Sequence, residues 1–309
     1  MPKAMLAATP PRRISSSSAR KEREIRRGGV AANIAFGMAN LGQRPILVGS
    51  VGEDFADYRS WLERHGVDCQ SVHVSDTRHT ARFVCTTDDD MAQIATFYAG
   101  AMSDARLIEL GPIAKRVGGL DLVLIGANDP EAMLRHTQEC RTRGIPFIAD
   151  PSQQLAFADG PEIRRLVDGA AYLFTNEYEA HLTEQKTGWS ADEITRRVDV
   201  RVITRGSEGV SIYRKGEDVI SVPVAREVRK ADPTGVGDAF RAGFLTGLSG
   251  GLDLRRCAEL GSMLATYVIE TVGTQEYQLG QEHFLARLAD AYGADSADEI
   301  SPVVACRHG

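Results

Sequence analysis

The chain has 309 residues, 43% of them hydrophobic, enough for one large α/β core with a small accessory sheet and too apolar for extensive disorder. A formal net charge of −6 gives no electrostatic footprint for nucleic acid or an anionic membrane, so the expected ligand is a small molecule. No apolar run approaches the roughly 18 residues that cross a bilayer and no signal-peptide core is present, which predicts a soluble, cytoplasmic protein.

Residues 1–27 stand apart in chain order. They are rich in Pro, Ser and Arg, lack apolar periodicity, and carry eight Lys or Arg against two Glu; a disordered leader is expected. From Gly28 the composition is that of a folded domain reaching to about residue 293, with 294–309 expected as a C-terminal tail. Apolar blocks at Ile46-Leu47-Val48, Leu122 to Ile125, Ile145 to Ile148 and Tyr172 to Phe174 read as buried strands. Helical spacing over Asp129 to Arg143, Glu177 to Lys186 and Leu254 to Glu270 alternates with them and predicts a doubly wound, mostly parallel sheet with helices on both faces. Val72-His-Val74, with Thr80 to Thr87 joined through Asp88-Asp89-Asp90 to Met91 to Tyr98, predicts a small β lid over about 72–98. A second hairpin is predicted over Gly209 to Tyr213 and Asp218 to Val222. Cys69, Cys85, Cys140, Cys257 and Cys306 are far apart, with no C-x-x-C pair, and the seven histidines show no zinc-ligand spacing, so neither disulfides nor a structural metal is expected.

Ligands of open α/β sheets bind beyond the carboxyl ends of the strands. Here those positions are polar: Asn128-Asp129, Asp150 to Gln154, Thr175-Asn176-Glu177 and Thr204-Arg205-Gly206. Each could be an ordinary helix cap; four together point to a site. The strongest signal is Asp232-Pro-Thr234-Gly235-Val236-Gly237-Asp238, a glycine-rich turn opening an apolar helix. Gly235 and Gly237 allow backbone N–H groups to approach an anion at the positive end of the helix dipole. Asp238, in the first turn, is placed to take a proton from an attacking hydroxyl, with Gly235, Val236 and Gly237 around the transferring phosphate.

This segment resembles the C-terminal signature of the ribokinase-like (phosphofructokinase B) carbohydrate kinases, in which the equivalent Asp is the catalytic base. Gly28-Gly29-Val-Ala-Ala-Asn33-Ile-Ala35 resembles that family's N-terminal signature, which implies acceptor contacts from Gly29 and Asn33. Asn176-Glu-Tyr-Glu179 is similar to its N-x-x-E motif, which implies a Mg²⁺ held near Glu179 mostly through water, a role that suits a hard cation. Thr204-Arg-Gly206-Ser-Glu-Gly209 is similar to its nucleotide loop. The resemblance therefore implies ATP at Asn176, Thr204, Gly206, Gly209 and Thr234. It also leaves room for a K⁺ near Asp232 and the Thr271 to Gly273 turn. Val236 departs from the family's usual small residue, but the contact there comes from backbone N–H.

For the acceptor, no Lys or Arg cluster suited to a sugar phosphate accompanies Asn33, whereas Phe83, Phe97 and Tyr98 on the lid could enclose a flat base or simply pack the hairpin. Thr80 to Phe83, Asp90 to Ala95, Gly126 to Glu131, Asp150 to Leu155 and Gly273 to Glu276 resemble the actinobacterial type of adenosine kinase within this family. That implies Phe83 and Phe97 at the purine and Gln153 or Gln154 at the nucleoside, with another sugar kinase or a non-catalytic nucleoside-binding protein as alternatives. An exposed lid edge also predicts a homodimer. Kinases of this family normally begin with a buried strand ending in Asp before the Gly-Gly-x-x-x-Asn motif. Residues 1–27 have no run of four strand formers, so the expectation is a truncated, frame-shifted or wrongly started chain with an impaired acceptor site.

Overall fold

The computed structural model describes residues 26–87 and 93–306. In chain order come α1 (Val30–Asn40), β1 (Gly49–Val51), α2 (Ala56–Arg64), β2 (Val72–Val74) and the hairpin β3 (Arg82–Thr87) and β4 (Gln93–Tyr98). An alternating stretch follows: α3 (Leu110–Val117), β5 (Val123–Gly126), α4 (Pro130–Arg143), β6 (Phe147–Asp150), α5 (Gly160–Val167) and β7 (Tyr172–Asn176). After α6 (Glu177–Thr187), α7 (Ala191–Arg197) and β8 (Val200–Thr204) the chain turns back through β9 (Val210–Tyr213) and β10 (Ile220–Val222). Four helices close it: α8 (Val236–Ser249), α9 (Leu254–Ile269), α10 (Gln281–Tyr292) and α11 (Ala294–Ile300).

The main sheet has the order β10-β9-β8-β7-β6-β5, parallel from β5 to β8 and antiparallel across β8, β9 and β10. Side chains of a strand alternate between faces, and two cores follow from that. Phe147, Ala149 and Leu173 join the core under α3, α4 and α5. Ile148, Phe174 and Val202 join the core under α1, α8 and α9. This is the doubly wound, mostly parallel sheet that the alternation of elements predicts. Helix ends follow local chemistry: α4 is started by Asp129, whose Oδ1 accepts from the Ala132 N–H at 3.1 Å, with Pro130 in the first turn. No helix among the described residues is long and apolar enough to cross a membrane.

Several boundaries differ from the sequence-based expectation. Ile46-Leu47-Val48 is not a strand of the main sheet; Ile46 forms an isolated bridge with Asp68, and the strand proper begins at Gly49. Val72-His73-Val74 is not part of the hairpin, because it pairs in parallel with Gly49–Val51 in a separate two-stranded sheet. The lid hairpin is β3 and β4 alone; its Asp88-Asp89-Asp90 turn lies outside the described residues. Residues 294–306 are not a tail: Ala297, Ile300 and Val304 are buried, and the Ala305 N–H donates to Leu41 O at 3.0 Å. Most of the 1–27 leader lies outside the described residues, but Arg26 and Arg27 reach the body, the first donating to Val272 O and the second lying over the Trp61 ring.

The outer edge of β5 has no strand partner among the described residues. A cavity of about 620 Å³ separates it from Pro45 to Val48 and from Ile34, Ala35 and Met38 of α1.

Candidate functional site

β5, β6, β7 and β8 run parallel, so their carboxyl ends share one edge of the sheet. Register pairs Gly126 with Asp150 and Asn176 with Thr204 there. The turn into α8 is tied to this edge by a buried ion pair. Arg241, one turn into α8, donates from Nε and Nη2 to Asp150 Oδ2 and Oδ1 at 2.6 and 2.7 Å, at 5% and 1% residue exposure respectively. Arg241 Nη1 also donates to Gly237 O at 3.2 Å. A buried bidentate pair of this kind has little freedom and sets the angle at which α8 meets the sheet.

Gly235 precedes α8 with φ 78°, a left-handed conformation in which a Cβ would lie 2.8 Å from Thr274 Cγ2. Glycine is therefore required there both by backbone and by space. The first-turn amides that follow, at Val236, Gly237 and Asp238, form the positive end of the 14-residue helix and lack acceptors within it; the Val236 N–H makes one long contact to Pro233 O, at 3.4 Å. Thr234 is exposed beside them, and its N–H donates to Asp232 Oδ1 at 2.9 Å. Asp232 Oδ2 takes the Gly273 N–H at 3.0 Å, so Asp232 joins the turn to the 271–275 segment.

Asp238 sits at the base of this cradle. Burial pushes its carboxyl up to about 6, against the opposing Asn33 hydrogen bond and the positive charge of Arg241, while the negative charge of Asp150 adds to the rise. Asn33, 7% exposed on α1, donates from Nδ2 to Asp238 Oδ2 at 2.8 Å. Its Oδ1 accepts from Thr274 Oγ1 and Gln275 Nε2 at 2.9 and 3.0 Å. The structure thus places Asn33 on the proposed base and engages most of its hydrogen-bonding capacity with protein partners. Gly29 caps α1 with φ 108°, a conformation that favours glycine, and its carbonyl accepts from the Asn33 N–H at 2.8 Å.

Asn176 and Glu179 form a capping box on α6: Asn176 Oδ1 accepts from the Glu179 N–H and Glu179 Oε2 from the Asn176 N–H, both at 2.8 Å. Glu179 Oε1 accepts from Ser152 Oγ at 3.5 Å. Among the described residues no three His, Cys, Asp or Glu side chains converge on a metal position. Thr204 ends β8 with its Oγ1 3.5 Å from Thr175 O, and Gly206 and Gly209 shape the following turn, closed by the Arg205 N–H on Gly209 O at 2.7 Å. Gln154 Nε2 donates to Asn128 O at 2.8 Å and so ties two strand-end loops together, whereas Gln153 is exposed.

Phe83 and Phe97 are direct partners across the hairpin and share one face; Tyr98 pairs with Arg82 and lies on the other. Phe83 is 68% and Phe97 56% exposed, and among the described residues no ring contact joins them to the body. The hairpin base is held through Asp54, which accepts from Thr80 and Arg82.

Sequence reasoning named Asp150 as a polar strand end and as the start of the Asp150 to Leu155 stretch, without a partner, and gave no role to Arg241, Trp61 or Tyr58. A charge in the otherwise apolar Ala239-Phe-Arg241-Ala-Gly-Phe244 was the available signal, since buried Arg demands a partner. Nothing local marks Trp61 or Tyr58.

The profile described as pfkB family carbohydrate kinase matches residues 6–279. The nucleoside kinase of Methanocaldococcus jannaschii is 31% identical over 250 residues, 80% of each chain. The structure of Burkholderia thailandensis nucleoside kinase in complex with inosine superimposes with a TM-score of 0.80 at 36% identity, covering 86% of this chain and 88% of that one. Its complex with ADP-inosine gives a TM-score of 0.80 at 34% identity, over 92% and 89%. These relatives carry a broader description than the adenosine kinases that five stretches of the sequence resemble.

Proposed function

The chain belongs to the pfkB family of carbohydrate kinases, and from that premise we propose that it is a nucleoside kinase transferring the γ-phosphoryl group of ATP to the 5′-hydroxyl of adenosine. The observation that carries this reading is Asp238, a carboxylate raised toward neutral pH by burial at the N-terminus of the helix whose first-turn amides can receive a phosphoryl group. The relatives support the acceptor class, being named as nucleoside kinases.

In this mechanism Asp238 accepts the proton of the acceptor hydroxyl as that oxygen forms its bond to γ-phosphorus. The bond from γ-phosphorus to the bridging oxygen breaks and ADP leaves. The backbone N–H groups of Gly235, Val236 and Gly237 stabilise the negative charge on the phosphoryl oxygens, the term expected to dominate phosphoryl transfer. Asn176, Thr204, Gly206, Gly209 and Thr234 line the nucleotide. Glu179 would hold a hydrated Mg²⁺ mostly through water, and the charge of that ion would offset the charge of the nucleotide phosphates. Phe83 and Phe97 offer apolar faces to the base, and Gln153 is free to reach the nucleoside.

The test is ADP release with adenosine, inosine, ribose and fructose at equal concentration. Turnover highest with adenosine supports the reading, and a preference for another nucleoside would revise the base. Faster turnover of ribose or fructose would make the chain a sugar kinase instead. Nucleoside binding without ADP release would remove catalysis altogether.

A further inference from the structure

Trp61, Gln275 and Asn33 form a chain of hydrogen bonds ending on Asp238, and its direction is set at the end farthest from the reaction. An indole N–H only donates. Trp61 Nε1 lies 3.2 Å from Gln275 Oε1, so the atom facing the indole has to be the carboxamide oxygen. Gln275 then presents Nε2 to Asn33 Oδ1 at 3.0 Å, an oxygen that also accepts from Thr274 Oγ1 at 2.9 Å. With its oxygen occupied from two sides, Asn33 turns its Nδ2 to Asp238 Oδ2 at 2.8 Å. Flipping either carboxamide would set donor against donor or oxygen against oxygen at another joint.

The chain is well protected. Gln275 is 1% and Thr274 8% exposed. Gln275 Nε2 also donates to Tyr58 OH, which in turn donates to Gly28 O at 3.0 Å, so both amide hydrogens have acceptors. The Trp61 ring is stacked on Phe36 with centroids 6.0 Å apart and planes at 12°, beneath the Arg27 guanidinium.

We propose that Trp61 and Gln275 are positioning residues for phosphoryl transfer: the fixed polarity of their hydrogen bonds keeps the Asn33 amide donating to Asp238, and so keeps the Asp238 carboxylate ionised and oriented. This rests on Asp238 as the base. A hydrogen bond to the ionised form opposes burial, and an Asn33 turned to present its oxygen would add to burial instead. The other charges around Asp238 are Arg241 on α8, which favours ionisation, and Asp150 at the end of β6, which disfavours it. α1 has no charged residue, and in the 271–276 turn the Glu276 carboxylate accepts the Gln275 backbone N–H at 2.9 Å.

The experiment titrates Asp238 directly by carboxyl ¹³C NMR, its resonance assigned by its loss in D238N, and in parallel records the acidic limb of kcat/KM. Trp61→Phe keeps an aromatic ring against Phe36 but removes the N–H together with part of the indole; Gln275→Met keeps the shape and removes both polar atoms of the carboxamide. In each folded variant the Asp238 midpoint should rise by about 0.5–1 unit and the acidic limb should move with it, with the KM for ATP unchanged. Near pH 6 that lowers kcat/KM by about 2- to 6-fold. Gln275→Met decides the matter if Trp61→Phe does not fold. Midpoints within about 0.2 unit of wild type in the folded variants would overturn the proposal, since a packing role would leave ionisation alone. A midpoint that moves while the acidic limb stays fixed would retain the hydrogen-bond chain and overturn Asp238 as the base. The NMR titration decides the network even for a chain without turnover.

Discussion

Asp238 bears on stability as well as on the proposed proton transfer. Its ordinary value is 3.8 and its folded value about 6, raised first by burial and opposed by the Asn33 bond. An acid whose folded value exceeds its unfolded value stabilises the fold fully below about pH 4 and loses that contribution as the pH rises through 6. Asp238→Asn removes the burial of charge while keeping an acceptor for Asn33. Urea denaturation at pH 7.5 should find the variant more stable by about 1–3 kcal/mol, a difference that vanishes below pH 4, while kcat falls by about 100-fold or more. A variant no more stable than wild type at pH 7.5 would mean that Asp238 is not strained by burial. The Asp150–Arg241 pair behaves in the opposite way, because each charge depends on the other. Arg241→Met alone should lose about 3–5 kcal/mol, whereas Asp150→Leu with Arg241→Met should recover most of it. Equal losses in the single and double variants would show that the pair is not the reason the single change is harmful.

At the level of elements, α6 separates a structural from a chemical role for one carboxylate. Glu179 Oε2 completes the capping box with Asn176, a task Gln performs as well. Glu179→Gln should therefore leave the thermal midpoint unchanged while raising the Mg²⁺ concentration needed for half-maximal rate, because Gln does not carry the charge that a hydrated cation feels. An unchanged Mg²⁺ titration would confine Glu179 to the cap. The pairing of α8 with α9 is governed by space. A Cβ on Gly243 would come within 2.6 Å of Leu260 O and 2.7 Å of the Gly261 Cα. Gly243→Ala should destabilise by about 1–3 kcal/mol through forced separation of the helices. Gly49→Ala is the control, since Gly49 lies in β1 and a Cβ there meets nothing within 4 Å.

For the whole molecule, the hairpin projects from the body with Phe83 and Phe97 open to solvent. If these rings meet a base only when the nucleoside is bound, their removal acts on binding and leaves the free fold alone. Phe83→Ala should change unfolding free energy by no more than about 0.5 kcal/mol. It should raise the KM for adenosine by roughly 3- to 10-fold without altering the KM for ATP or ribose. An equal rise for ribose would assign Phe83 to the hairpin alone.

The local pattern of this sequence determined the alternation of strands and helices, the N-cap at Asp129, the polar strand ends and the glycine turn into α8. Each is written in residues within a few positions of one another, where periodicity, capping and backbone freedom act. The proposed role of Asp238 was read from that same turn. The partners of that turn were not. Trp61 and Gln275 are 214 positions apart and Asp150 and Arg241 are 91 apart; which donor faces which acceptor is decided only when the helices and the sheet are assembled. The same holds for Val72–Val74, whose apolar alternation marks a strand and cannot name Gly49–Val51 as its neighbour. Residues 294–306 likewise look like a polar ending, and they pack because α9, α10 and Leu41 present a surface on which Ala297, Ile300 and Val304 can be buried.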